Sequence, residues 1–375
     1  ALNELNKQVT ELAEMLSLEQ QTNTDLSLIL SQLATDLEST SIERDKLSLE
    51  LKSLRSDSEL KEQVLNKEIK VGENKIQLML SDIERLKRDI VALKAVRQEL
   101  ELQVSDLSSS LRNKDTAIKD LEEIDWSDAE RGLYPKNLLF EAPWIEWLFK
   151  YPLVWLDMPS TWSRRKDRNI QDLPRSINKE IYPDYYLQNF HHQTDGYLSD
   201  HSAEIYDLQV EILFNGTADS MRRRILSPLK RGLKKYLSES SKKVKVLDIA
   251  TGTGRTLQQI QSALPEVELY GLDLSGSYLK QASKYLSSRS GDLVQLTKGN
   301  AENMPYLSNS FQGLTCVFLF HELPRDARQN VLNECFRLLE PGGTLVLADS
   351  IQIEDSPKFT SIMENFHKIF HEPYY

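Results

Sequence analysis

Residues 246–255 read VLDIATGTGR: an apolar run, an acid, then two glycines spaced among threonines. Glycines directly after a strand-like run allow a tight turn and let a ligand lie close to the backbone. If a helix follows, its first amides are free to donate. Asp248, Ala250, Thr251, Gly252, Thr253 and Gly254 are therefore candidate ligand-binding residues. Asp273 and Leu274 end a second strand-like run, where an acid is placed to take both hydroxyls of a ribose. Asn300 and Ala301 follow a third run, where a side-chain amide and a backbone N–H suit an adenine edge. After a fourth run, FLFHELP places His321 as a candidate general base, with Glu322 orienting it or the substrate. His321 capping a turn is the plainer alternative. Cys316 lies within a strand and Cys335 within a helix, which leaves no nucleophile candidate and no metal spacing.

These residues need elements to hold them. From Lys243 onward, strand-like and amphipathic runs alternate with short connections, which predicts βαβ units and a parallel sheet. Ligands in such sheets bind beyond the carboxyl ends of the strands. The loop lacks the third glycine of the dinucleotide fingerprint.

The glycine loop, Asp273, GNAENMP (299–305) and LEPGG (339–343) together resemble the class I S-adenosylmethionine-dependent methyltransferases of the broad small-molecule type. The resemblance covers roughly residues 215–375. It implies a Rossmann-like doubly wound α/β sheet with S-adenosylmethionine as cofactor. It places Asp248, Gly252 and Gly254 around the methionine portion, Asp273 on the ribose, and Asn300 with Ala301 at the adenine. Asn300 stands where the family usually has Asp. The family sheet has seven strands, and this sequence shows five, so a C-terminally truncated domain is expected.

Residues 1–125 contain no Pro, Phe, Tyr, Trp, His or Cys and carry 26 acids against 17 bases. Ile83, Leu86, Ile90, Leu93, Arg97, Leu100, Val104, Leu107, Leu111, Lys114, Ile118 and Leu121 step by three and four, the repeat of a coiled coil. Val71–Asn74 is the expected break. The opening phrase also resembles the stalks of bacterial envelope and peptidoglycan-binding proteins. Self-association through this seam is expected, with Arg97 and Lys114 setting register.

All five tryptophans fall between 126 and 162, so a boundary is expected near residue 125. The domains then read 1–125 coiled coil, 126–215 aromatic-rich arm and lid, and 216–375 cofactor-binding domain. LLFEAPWIEWLFKYPLVWLDMP (138–159) suits an arm packed on the next domain or, with the basic SRRKDR after it, a peripheral membrane contact. Tyrosines and His191, His192 and His201 in 182–207 suit a lid or a surface helix pair. Residues 221–245 hold ten bases and one acid, as a solvated amphipathic face or a phosphate contact. The net charge of −11 lies mostly in the first third, which argues against nucleic acid as partner. Two scattered cysteines and no signal-like or spanning run predict a cytoplasmic setting. The expected function is methyl transfer to a small or lipid-like acceptor, against a coiled-coil assembly protein, possibly a fusion, with an inactive methyltransferase domain.

Overall fold

The computed structural model describes residues 2–53, 59–238, 243–289, 291–360, 363, 364, 366 and 370–374. Residues 3–111 form one compact unit and residues 112–375 belong to another.

The first unit is built from helix α1 (Leu2–Ser53) and most of helix α2 (Glu59–Glu130). The expected break at 71–74 is absent, since α2 runs through it. One glycine costs a helix only about 1 kcal/mol against alanine, which neighbouring good helix formers offset. Along α2 the 3.5-spaced seam is the less exposed face, with Leu86 and Leu100 buried.

The second unit is a doubly wound α/β domain. Its sheet has strands β1 (Lys245–Ile249), β2 (Glu268–Asp273), β3 (Gln295–Lys298), β4 (Phe311–Val317) and β5 (Leu339–Ala348). Their order is β3-β2-β1-β4-β5, and every pairing is parallel. Chain order reverses between β1 and β4, which opens a crevice at the carboxyl ends of the strands. The central strands are apolar on both sides because helices cover both faces. One layer buries Val246, Leu257, Ile260 and Leu229; the other buries Leu247, Ile249, Leu314 and Val331. β5 takes in the LEPGG run (339–343), since Leu339 already pairs with Phe311 across an irregularity in the ladder.

Helices α7 (Arg255–Ala263), α8 (Gly276–Ser287) and α9 (Arg325–Leu338) are the crossovers. Ahead of the sheet come α3 (Trp144–Asp167), α4 (Asp200–Leu213), α5 (Ala218–Arg223) and α6 (Leu226–Ser238). In α6, Leu226, Leu229 and Leu233 are buried at helical spacing, while Arg231, Lys234 and Lys235 are exposed. Arg222 and Arg223, from the same basic run, turn inward instead. Arg223 donates from Nη2 to Asp125 at 2.5 Å, and Ser220 also donates to Asp125 at 3.0 Å.

Candidate active site

The glycine loop joins β1 to α7 and turns sharply, with Ala250, Gly252 and Gly254 all at positive φ. Gly252 has nothing within 4 Å of where a Cβ would stand, so its open side is a cradle on the cleft. Gly254 is packed differently. A Cβ there would lie 3.1 Å from Leu286 and 3.2 Å from Ala282, so this glycine seats α7 against α8.

An open cleft lies over this loop. Of the expected cofactor residues, Ala250, Thr251, Gly252, Thr253, Asp273, Leu274, Asn300 and Ala301 line it together. Asp248 and Gly254 are not on its wall. Asp248 is buried below the loop, where its carboxylate accepts from Thr251 Oγ1 at 2.8 Å and Thr315 Oγ1 at 2.6 Å. It ties the loop to β4. Burial raises its pKa to about 7, although the two threonine hydrogen bonds oppose the shift.

Asp273 closes the loop from the next strand. Its carboxylate accepts the amides of Gly252 and Ser275, each at 2.8 Å. Burial raises its pKa to about 6 against the pull of those amides. Asn300 Oδ1 accepts the Glu302 amide at 2.9 Å, fixing the turn after β3. Thr253 donates to Asp207 at 2.6 Å. Arg255, just past the loop, pairs with Asp219 and donates to Tyr285 at 2.6 Å.

The opposite wall is aromatic. Tyr185, Tyr186, Tyr197 and Tyr206, from the tyrosine-rich segment 182–207, line the cleft with Phe318 and Leu323. Asp273 and Glu322 are the two acids on its wall. Tyr197 donates its hydroxyl to Glu322.

Behind Glu322 stands a cluster that no sequence spacing could show. His321 lies off the cleft wall, and its Nδ1 is 2.7 Å from Asp349 Oδ1. Its Nε2 is 4.0 Å from Glu322, so Asp349 orients this ring, and Glu322 keeps its place on the cleft wall. His191 reaches Glu372 at 2.9 Å and Glu322 at 3.5 Å. His191, His321 and Glu372 each bring one donor atom within 4.8 Å of the others. Burial alone would lower both histidines. The hydrogen bonds and charges of the surrounding carboxylates outweigh it, raising His321 and taking His191 to about 10. His192 goes the other way, to about 4, through burial and the neighbouring cations. His201 stays off the cleft, 3.9 Å from Asp157.

Residues 246–343 match the family model described as a methyltransferase domain. A demethylmenaquinone methyltransferase of Thermotoga maritima is 32% identical over 170 residues, 45% of this chain and 67% of that protein. One of Lactiplantibacillus plantarum is 30% identical over 193 residues, 49% of this chain and 76% of that protein. The chain belongs to the class I S-adenosylmethionine-dependent methyltransferases. As a member of that family it takes S-adenosylmethionine as its cofactor. Among solved structures, a putative methyltransferase of Bacillus halodurans is 24% identical at a TM-score of 0.31, covering 39% of this chain and 62% of that one. DesVI of Streptomyces venezuelae is 21% identical at a TM-score of 0.31, covering 40% of this chain and 58% of that one. The methyltransferase thus spans about three fifths of these two structures' length. The residues on the cleft fit the cofactor. Gly252 offers an open cradle, Asp273 a carboxylate at the end of β2, and Asn300–Ala301 a turn at the end of β3.

Proposed function

We propose that this chain methylates a ring carbon of a small, lipid-like aromatic acceptor of the reduced-quinone type. The observation that carries this reading is the cleft itself: a cofactor loop on one side, and on the other a wall of aromatic rings around the single carboxylate Glu322. Flat rings stack on such a wall, and an apolar cleft with few polar groups orients them. The two curated relatives described above are named for demethylmenaquinone, an acceptor of this class.

S-adenosylmethionine supplies an electrophilic methyl group on a sulfonium when bound. The protein then has two tasks, positioning and proton removal. Asp273 and the glycine loop fix the cofactor. Tyr186, Tyr206 and Phe318 hold the acceptor ring. Glu322 accepts the proton of a ring hydroxyl, which raises the electron density at the adjacent carbon. His321 stands behind it, oriented by Asp349, to take the proton onward once its own ring is neutral. The acceptor gains a methyl on the ring carbon, whose own proton then passes to the phenolate oxygen and restores the hydroxyl, so the one proton that leaves per turnover is the one Glu322 took up.

Glu322→Gln separates this reading from simple binding. Loss of a positioned acid–base group lowers turnover by roughly 10²–10⁴-fold. Cofactor affinity by calorimetry should stay within a few fold of the parent. Unchanged turnover with a short-chain hydroquinone acceptor would remove Glu322 from the chemistry.

A further inference from the structure

Helix α3 is amphipathic in the inverted sense. Its inward face carries Lys150, Asp157 and Arg164, all less than a tenth exposed, beside Trp147 and Val154. Its outward face carries Trp144, Ile145, Leu148, Phe149, Trp155 and Leu156, all between half and four fifths exposed. These positions recur at three- and four-residue steps and form one continuous stripe. Pro152 and Pro159 lie on the same stripe, and Trp162 extends it.

The inward charges are all engaged. Lys150 pairs with Glu146 at 2.6 Å. Asp157 accepts from Thr194 at 2.5 Å and from Gln209 at 3.3 Å. Arg164 donates to the His192 carbonyl at 2.9 Å and to Asp172 at 3.2 Å. Trp147 and Val154 pack on Ile205 and Leu208 of α4. The helix is therefore docked through specific polar contacts. Its apolar side faces outward by construction, not through failure to pack. A soluble monomer rarely exposes a contiguous apolar patch of this size without using it.

We infer that the outward face of α3 seats this protein on the surface of a bilayer containing anionic lipids. Three observations commit the face to that occupant. Tryptophan and tyrosine are the residues of the membrane–water interface, and the stripe holds three exposed tryptophans and Tyr151. The stripe runs straight into a basic end, Arg165, Lys166 and Arg168, with Lys166 and Arg168 exposed. Cations at the edge of an apolar face complement lipid phosphates. A second copy of the chain would have to meet that end with acids. The helix offers there only Glu146, already paired with Lys150, and Asp167, which accepts from Ser163 within the basic end itself. No described helix is long and apolar enough to cross a membrane, so α3 lies in the plane of the interface.

The same helix reaches a residue of the cleft. Trp147 stacks under the Arg255 guanidinium at 5.6 Å, and Arg255 lines the cleft. Asp157 and Arg164 hold residues 192–194, beside the segment that supplies the wall tyrosines. Seating α3 on lipid brings that aromatic wall to the surface in which an apolar acceptor dissolves. The inference goes beyond the proposed acceptor, since it requires a bilayer and no substrate.

The test is flotation of the full chain with vesicles of phosphatidylcholine alone and of phosphatidylcholine with an equal share of phosphatidylglycerol. The parent should float with the anionic vesicles. Ile145→Ser/Leu148→Ser/Phe149→Ser should lower partitioning by more than about tenfold, since three large apolar side chains no longer leave water. Lys166→Glu/Arg168→Glu should lower it on anionic vesicles and leave binding to neutral vesicles unchanged. Calorimetric S-adenosylmethionine affinity confirms that each variant is folded and tests the cleft separately. A parent that fails to float, or a triple variant that floats as well, overturns the inference. So does a triple variant that only changes the oligomeric state in sedimentation, because the face would then belong to a second copy.

Discussion

The Gly252 amide donates to Oδ2 of Asp273 at 2.8 Å, so the glycine loop after β1 and the last residue of β2 form one unit. Oδ1 of the same carboxylate accepts the Ser275 amide at 2.8 Å. Both oxygens are held by backbone amides, and each retains capacity to accept a ribose hydroxyl. Burial holds this carboxyl at a pKa of about 6, above the ordinary range. Ionisation is what makes it a strong acceptor for two hydroxyls. Cofactor affinity should therefore be steady at alkaline pH and fall as pH drops through about 6. Asp273→Ala should lower affinity by roughly 10- to 150-fold, the worth of hydrogen bonds to a charged group. Asp273→Asn should flatten the pH dependence. Calorimetric titration with S-adenosylmethionine on both sides of the transition decides it, and equal affinity in parent and alanine variant would remove Asp273 from the ribose.

Asp248 makes a different prediction because it lies under the loop. Its folded pKa, about 7, is raised above the unfolded value by burial. A raised carboxyl contributes stability that is fully present below the unfolded pKa, near 4, and is lost as pH rises through the folded one. The parent should thus melt at lower temperature on going from mildly acidic to mildly alkaline pH. Asp248→Asn keeps an acceptor for the threonine hydroxyls and removes the ionisation, so this part of the pH dependence should disappear. A variant with the same pH slope as the parent would show that Asp248 does not titrate there.

How far the sequence revealed this arrangement differs from residue to residue. β1 to β4 each fall within the apolar run that announces them, because short strands and amphipathic helices alternate with little between. The loop residues and Asp273 were legible for the same reason: they sit at strand ends, and strand ends were visible. The cluster behind Glu322 was not. His191, Asp349 and Glu372 come from three separated segments, and only the fold brings them beside His321. Asp125 looked like the edge of a composition change. It is buried with Arg223 at the end of a helix that continues to Glu130, because its partners lie nearly a hundred residues away. α3 shows a further limit. Periodicity reveals that a helix has two faces, yet which face turns inward depends on remote partners such as Thr194 and the His192 carbonyl.

His321 and Asp349 bear on turnover through pH. Burial lowers the imidazole pKa, but the Asp349 hydrogen bond and the charges of Glu322, Asp349 and Glu372 raise it more. The ring therefore keeps its proton to higher pH than an unperturbed imidazole. A step that needs a neutral Nε2 becomes faster as pH rises through that raised pKa. Asp349→Asn removes the main support of the cation, so the rising limb of the kcat profile should move to lower pH. A merely structural role for Asp349 would lower the melting temperature and leave the limb in place. The profile measured with a short-chain hydroquinone separates the two.

The seam of α2 gives the last prediction. Positions 83 to 121 at 3.5 spacing form its less exposed face, and ten of the twelve are apolar. A peptide of residues 76–125 leaves that face in water unless it pairs, so it should be helical and self-associated. Two seam positions oppose this. Lys114 Nζ has no hydrogen-bond partner among the described residues, and Arg97 Nε reaches Glu101 only at 3.5 Å. Burial lowers the Lys114 pKa, with Asp115 acting against the shift. A cation held in a seam costs stability and selects register. Arg97→Leu/Lys114→Leu should therefore tighten association and raise the melting temperature. Each leucine placed in the seam is worth about 1.5–3 kcal/mol where it is fully covered. The same change should broaden the register, seen as a mixture of oligomers in sedimentation equilibrium. A parent peptide that stays a helical monomer at high micromolar concentration would show that the seam pairs only within its own chain.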